Sequence, residues 1–409
     1  MEETVKYLLV GGGEASAWAA QYIRERDHVG TITLIGWEPN PPIDRPPLSK
    51  EFLLDDSLSK DYPEIKNRAF YETSKINLRT GTKAINLDRQ NRIVTLENGD
   101  TIRYEKLLLA TGATPRYMNV LGHDMSNIYY LRTVDDAEKI RSAIKHEREV
   151  VMVGSGYIGM EVGAICSQRG LKVTIISPDE RPLKRAGSPL FSRFMQEYYE
   201  SKGIKFLLGQ QVTSFLGNVS VSEVVTDKGT KIPADFVVAG IGVVLNNELA
   251  KASGLEMTER GEVIVDEYLR TSDPNIWAAG DITYFNDIAM GTKWHVEHNQ
   301  NAKWQGRQAG AIMAGDSKPY NKVAYFYSDV FDIHLNIRGA IHLTTQSKML
   351  GDVKGGEFVE LYYNDADQLR MTIACSHDDH KLDPISDKAE ELIRAKANVH
   401  DITMSTFGL

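Results

Sequence analysis

The chain is expected to adopt an α/β fold organised around two dinucleotide-binding βαβ units. Three observations carry that expectation. The apolar run Tyr7–Val10 meets Gly11-Gly12-Gly13 and passes into a small-residue segment of helical character. The pattern recurs 143 positions later, where Glu149–Val153 meets Gly154-Ser155-Gly156-Tyr157-Ile158-Gly159. Beyond the Lys318-Pro319 linker the sequence turns strand-rich, carries no nucleotide fingerprint, and closes on a helical stretch at Ser386–Lys396.

In the first unit, Gly11 and Gly13 let the backbone turn sharply and approach a pyrophosphate, since no Cβ intervenes. The helix that follows offers free N–H groups to phosphate oxygens. Ser16 stands where the fingerprint has its third glycine, and Glu14 puts a negative charge near the expected phosphate. Thr31–Ile35 reads as the second parallel strand, with Glu38 just beyond it at the distance of a ribose-binding acid. An ordinary solvated loop acid is the alternative for Glu38. In Ile43–Leu53 two prolines stiffen the approach, and Ser49 is expected to cap a helix that starts with Lys50, a positioned ammonium. Ile76–Arg103 alternates, with a hairpin turn at Asn98-Gly99-Asp100. Tyr104–Ala110 then returns as a buried strand ending in Ala110-Thr111-Gly112-Ala113, a turn small enough to pass close to a ligand.

The second unit supplies all three glycines, Gly154, Gly156 and Gly159, and continues as helix over Met160–Gln168 and strand over Lys172–Ile176. Two fingerprints imply two dinucleotides. Asp179 is the acid best placed for an adenosine ribose, whereas Arg181, Lys184 and Arg185 suit either a 2′-phosphate or plain surface. Lys231–Gly242 reads as another strand-to-glycine segment. Thr271–Asp281 gives a strand with Gly280-Asp281 at its carboxyl end, where Asp281 can bind a sugar-like hydroxyl. Trp294–Gly315 is expected to be one helix, packing through Ala302, Gly306, Ala309 and Gly310. Its N-terminus near His295–His298 would turn a positive dipole end toward a ligand.

Composition removes several classes of function. A net charge of −9 argues against nucleic-acid binding through the surface as a whole. Cys166 and Cys375 are the two cysteines, so there is no disulfide framework, and a reducing compartment is expected. With the first strand beginning by Tyr7 no leader is expected, and the longest apolar run, Phe236–Leu245, is too short for a bilayer. A cytoplasmic protein without membrane contact is expected. His377-Asp378-Asp379-His380 lacks spaced partners and reads as a solvated turn, so no metal is expected.

RPPLSK at 45–50, the two fingerprints, ATGA, TSDPNIWAAGD, VEHNQNAKWQGRQAG and KPYNKVAYFYSD occur in the order found in FAD-dependent pyridine-nucleotide reductases. The chain resembles the group of ferredoxin, rubredoxin and putidaredoxin reductases and apoptosis-inducing factor. The resemblance implies two Rossmann-like domains and a C-terminal α+β domain. The FAD domain would be 1–118 and 246–318, interrupted by an NAD(P)H domain at 119–245 and followed by the α+β domain at 319–409.

It also implies FAD as cofactor and NAD(P)H as substrate, with NADH favoured because Asp179 would repel a 2′-phosphate. Lys50, beside the flavin N5 edge, and Glu161, its acidic partner, would form the catalytic pair. Arg45 belongs to the same pocket. Asp281, behind Gly280, would hold the ribityl chain, and Glu297 with His298 would open the flavin-facing helix. Tyr327 stands where many relatives place a tryptophan. Gly11, Gly13, Ser16, Glu38, Ala110, Thr111 and Gly112 would complete the FAD contacts, and Gly154, Gly156, Gly159 and Asp179 those to the nicotinamide nucleotide.

Disulfide reductases of this type carry a CxxxxC pair, and relatives acting on coenzyme A disulfide carry one Cys after the second strand. Here that region reads Glu38-Pro39-Asn40-Pro41-Pro42-Ile43. Electrons are therefore expected to leave the flavin directly, for a ferredoxin- or rubredoxin-like acceptor such as a small iron–sulfur protein. The alternatives are an NADH oxidase or diaphorase acting on quinones or small molecules, and a redox-sensing interaction protein like apoptosis-inducing factor. A homodimer is compatible with all three.

Overall fold

The run that opens the chain is apolar because it is buried on both faces: Tyr7, Leu8 and Leu9 are each 1 % exposed or less. A strand of that kind needs neighbours on both sides, as in parallel sheets covered by helices. In the computed structural model, which describes residues 2–408, Glu2–Val10 lies between Ile32–Ile35 and Thr101–Leu109, parallel to both. The chain divides into two interleaved compact units. One takes the N-terminal strand through Arg45, Asp61–Thr114 and Val244–Tyr325; the other takes Pro46–Lys60, Pro115–Val243 and Phe326 onward.

In the first unit the sheet runs Ile76–Arg79, Ile32–Ile35, Glu2–Val10, Thr101–Leu109, Ile93–Leu96, Ala84–Asp88. Thr101–Leu109 changes partner along its length. Its start pairs antiparallel with Ile93–Leu96, and its end pairs parallel with Ile276–Ala278. The Asn98–Asp100 turn therefore leads straight into a central strand of the dinucleotide sheet. Helices Glu14–Arg24 and Asn299–Met313 pack together through small residues, as their sequences anticipate. A Cβ at Gly306 would come within 2.2 Å of the Ala15 carbonyl oxygen, and one at Gly310 within 2.4 Å of that of Ala19.

The second of these helices is shorter than its sequence predicts. It starts at Asn299, and Trp294 and His295 belong instead to the strand Thr292–His295, antiparallel to Thr283–Asp287. Trp294 pairs with Phe285 in register and donates its indole N–H to Asp287 at 2.9 Å, a cross-strand anchor that outweighs local helix propensity.

In the second unit a parallel sheet runs Lys205–Leu208, Lys172–Ser177, Glu149–Val153, Phe236–Ala239, Ile128–Tyr129. The Lys231–Gly242 segment is two strands, not one. Lys231–Pro233 joins an antiparallel ribbon with Val221–Thr226 and Val212–Gly217, and only Phe236–Ala239 enters the parallel sheet. The C-terminal strands form an antiparallel sheet ordered Tyr325–Val330, Ile333–Gly339, Leu369–Ser376, Glu357–Tyr363, Gln346–Asp352. The closing helix is Asp379–Arg394, starting well before Ser386 because the Asp378 side chain accepts the His380 N–H as an N-cap. Among the described residues no helix is long and apolar enough to cross a membrane.

Gly306→Val forces a branched side chain into the Ala15 backbone. It is expected to cost about 1–3 kcal/mol of stability or more, read as a lower midpoint in denaturant unfolding.

Candidate active site

Each unit places one glycine cradle at the carboxyl end of its central strands. In the first, Gly11 has φ +127°, and a Cβ there would stand 1.9 Å from the Ala110 carbonyl oxygen. Only glycine permits that approach. Gly13 caps Glu14–Arg24, with nothing within 4 Å of where its Cβ would be. Open space at the cap and free helix N–H groups suit a phosphate. Ser16 is fully buried, and its hydroxyl has no protein partner. The close approach at Gly11, the open cap at Gly13 and the helix N–H groups after it fit a dinucleotide's pyrophosphate. Thr111, in the turn after the central strand, is braced by Asn246, whose side-chain amide donates to the Thr111 carbonyl at 2.9 Å; Gly112 follows at φ +65°.

Glu38 is buried, not a solvated loop acid, and Arg45 holds it at 2.6 Å. Gly280 (φ +81°) is fixed by Gln305, whose side-chain oxygen accepts the Gly280 N–H at 2.8 Å and the Thr283 hydroxyl at 3.1 Å. That leaves Asp281 half-buried at the strand end. Glu297 precedes the helix and bonds His295 at 3.1 Å. Burial opposes a charge on His295, but Glu297 and the Thr283 carbonyl outweigh it and raise its pKa. His298 occupies the cap position itself, and burial pushes its imidazole down to about 4, so the ring is neutral at pH 7.

The second cradle repeats the first. Gly154 has φ +104°, and its Cβ would meet the Gly240 carbonyl oxygen at 2.3 Å. Gly156 caps Tyr157–Gln168, and a Cβ at Gly159 would meet the Gly154 carbonyl oxygen at 2.1 Å. Beyond the next strand, Asp179 lies 3.4 Å from Lys184, which also pairs with Glu180 at 2.9 Å. Arg181 donates to Ser192 at 3.1 Å, while Arg185 is exposed.

The same unit brings Lys50 and Glu161 together across 111 positions of sequence. The Lys50 ammonium lies 3.9 Å from Glu161 and 3.3 Å from Asp329, and 4.8 Å from the centre of the Tyr327 ring. Ser49 does not cap a helix as its sequence predicts. Pro46–Ser49 is itself a 3₁₀ turn, and the Ser49 hydroxyl donates to Glu161. Ser328 donates to the other Glu161 oxygen at 2.6 Å, and His334 bonds Asp329 at 2.7 Å. Burial raises the Glu161 pKa, against the opposing pull of Lys50 and the two hydroxyls. Ser328, Asp329 and His334 escaped the sequence reading, although Ser328-Asp329 directly follows Tyr327. Asn246 and Gln305 left no local signal at all.

The two cysteines lie outside these clusters. Cys166 and Cys375 are free and buried, and burial pushes both thiols up, away from the reactive thiolate. His377 bonds Asp332 at 2.9 Å, and among the described residues no three His, Cys, Asp or Glu side chains converge as metal ligands.

The sequence profile of the pyridine nucleotide-disulphide oxidoreductase family matches residues 5–306. Rhodocoxin reductase of Rhodococcus erythropolis is 34 % identical over 86 % of this chain and 82 % of its own length. Rubredoxin-NAD(+) reductase of Pseudomonas putida is 33 % identical over 82 % of this chain and 86 % of its own. A ferredoxin reductase structure from Rhodopseudomonas palustris superposes with a TM-score of 0.86 at 33 % identity, covering 91 % of each chain. The reductase in a covalent putidaredoxin reductase–putidaredoxin complex superposes at 0.91 with 28 % identity, covering 99 % and 96 %.

Lys50→Met strands Glu161 in a buried site without its cation, at an expected cost of about 3–5 kcal/mol. Folding keeps the Glu161 proton to a higher pH than the unfolded chain does, so the variant's stability should fall further as pH rises above the ordinary glutamate range. Adding Glu161→Gln should recover much of the loss and flatten that pH dependence in denaturant unfolding.

Proposed function

We propose, for a chain that belongs to the pyridine nucleotide-disulphide oxidoreductase family, that it carries electrons from NAD(P)H through FAD to a small ferredoxin- or rubredoxin-like protein. The observation that carries this reading is the duplicated cradle, a glycine turn seated on a strand-end carbonyl in each unit. FAD supplies the redox chemistry, accepting hydride and releasing electrons one at a time.

The chain's own residues bind, orient and tune. Gly11, Gly13 and Ser16 would receive the FAD pyrophosphate, and Glu38, held rigid by Arg45, the adenosine ribose. Ala110, Thr111 and Gly112 would form a wall of that site, and Asp281 with Gly280 would hold the ribityl hydroxyls. The positive end of Asn299–Met313, with His298 neutral at its cap and Glu297 beside it, would steady negative charge on the isoalloxazine. Gly154, Gly156 and Gly159 would seat the nicotinamide nucleotide, with Asp179 at its ribose. Lys50 would present a fixed positive charge at the reactive edge, with Glu161 and Tyr327 holding it in place. The functional segments proposed are 1–118 with 246–318 for FAD, 119–245 for NAD(P)H and 319–409 for the α+β domain. Two buried free thiols suit a reducing compartment such as the cytoplasm.

Anaerobic stopped-flow tests the route. NADH should bleach the flavin of the Cys166→Ala, Cys375→Ala double variant as it does the wild type, and oxidised ferredoxin or rubredoxin should restore the colour. A folded, FAD-loaded double variant that cannot pass electrons on would show that a thiol carries them, and the direct route would be wrong.

Asp179 should make NADH the better substrate despite its pairing with Lys184, because NADPH would bring a 2′-phosphate against its carboxylate. The ratio of kcat/KM for the two nucleotides decides this. A preference for NADPH would place control of the loop with Arg181, Lys184 or Arg185.

A further inference from the structure

The first cradle holds a group that this scheme leaves unused. Glu14 is the first residue of the helix after Gly13, at the turn meant for the pyrophosphate. One of its oxygens accepts the Trp18 indole N–H at 2.6 Å. The other is sealed from solvent and has no partner. Ionised, that oxygen would be a buried charge without compensation, an expensive state.

Its neighbours offer little relief. Lys303 and Arg307, on the packed helix Asn299–Met313, stand over the Trp18 ring at 4.8 and 3.9 Å, and Lys66 lies over it at 4.9 Å. These cations are engaged on the indole face. Asp44 adds a like charge from the loop before Arg45, and Tyr71 faces Glu14 from the helix Arg68–Thr73. Burial, with Asp44 next, pushes the Glu14 carboxyl up to about 7, against the indole bond, Lys303 and Arg307.

We propose that Glu14 makes FAD retention depend on protonation: as a neutral acid it admits the pyrophosphate, and as a carboxylate, one residue past the cap, it repels that anion. The proposal rests on the assignment of FAD to the Gly11–Gly13 cradle. FAD binding then takes up a proton wherever Glu14 is ionised in the flavin-free chain, so affinity falls as pH rises. An ordinary surface glutamate, ionised across the whole range, would leave affinity flat.

The test follows flavin release from diluted holoprotein between pH 6 and pH 8.5, read as free flavin fluorescence. In the wild type the apparent Kd should rise above pH 7 by up to about tenfold per pH unit, the limit for one linked proton. Glu14→Gln should match the wild type at pH 6 and stay flat, and Glu14→Ala should also be flat. Parallel profiles for wild type and variants, or a flat wild type, would overturn the role of Glu14 while leaving the FAD site in place. Purified wild type that holds no flavin at any pH would instead overturn the FAD assignment itself.

Discussion

A carbonyl oxygen beneath a glycine is the contact on which both glycine cradles depend. Gly11 sits on Ala110 and Gly154 on Gly240, each so close that a Cβ would overlap the oxygen. The contact ties the first strand's end to the end of its neighbour, so the turn and the helix after it are aimed together. Parallel register makes this possible. Val10 lies opposite Leu109 in one sheet and Val153 opposite Ala239 in the other, so both strand ends reach the same level.

The third position of the fingerprint shows how much variation is allowed. A Cβ at Gly159 would strike the Gly154 carbonyl, so the second cradle needs glycine there. The first cradle carries Ser16 in the matching place, buried, with its hydroxyl lacking a protein acceptor. The two turns are therefore not copies. One has a glycine pressed onto the turn's own carbonyl, and the other carries a buried hydroxyl in its place.

What could be read from sequence follows from how local each cause is. Strands buried on both faces and ended by glycine announce themselves, because their composition answers to their own burial. The Gly306 and Gly310 face was equally legible, since close helix packing demands small residues at that spacing. Helix starts were not. Trp294 and His295 suit a helix or a strand, and the choice rests on a partner strand at Thr283–Asp287. Ser49 resembles a cap by position, but its hydroxyl is claimed by Glu161, 112 residues away. Asn246 and Gln305 brace the turns at Thr111 and Gly280 from distant segments, and nothing near them in sequence records that duty. The Lys50–Glu161 pairing came from family resemblance, and the flanking Ser328, Asp329 and His334 are visible only once the chain is folded.

Two buried glutamates then meet the same desolvation in different company. Burial is the largest influence on both Glu14 and Glu161, and it raises the pKa of each. Glu161 has two hydroxyl donors and an ammonium at 3.9 Å, the companions a buried carboxylate needs if it is to keep its charge. Glu14 has one indole N–H, a like charge in Asp44, and cations held on the face of a ring. Both acids are pushed up, but Glu161 is opposed by a cation and two hydroxyl donors, Glu14 by one indole and by cations held on its ring. At a helix end built to receive phosphates a fixed negative charge is a liability, and the sparse company of Glu14 is what lets that charge be discharged by a proton.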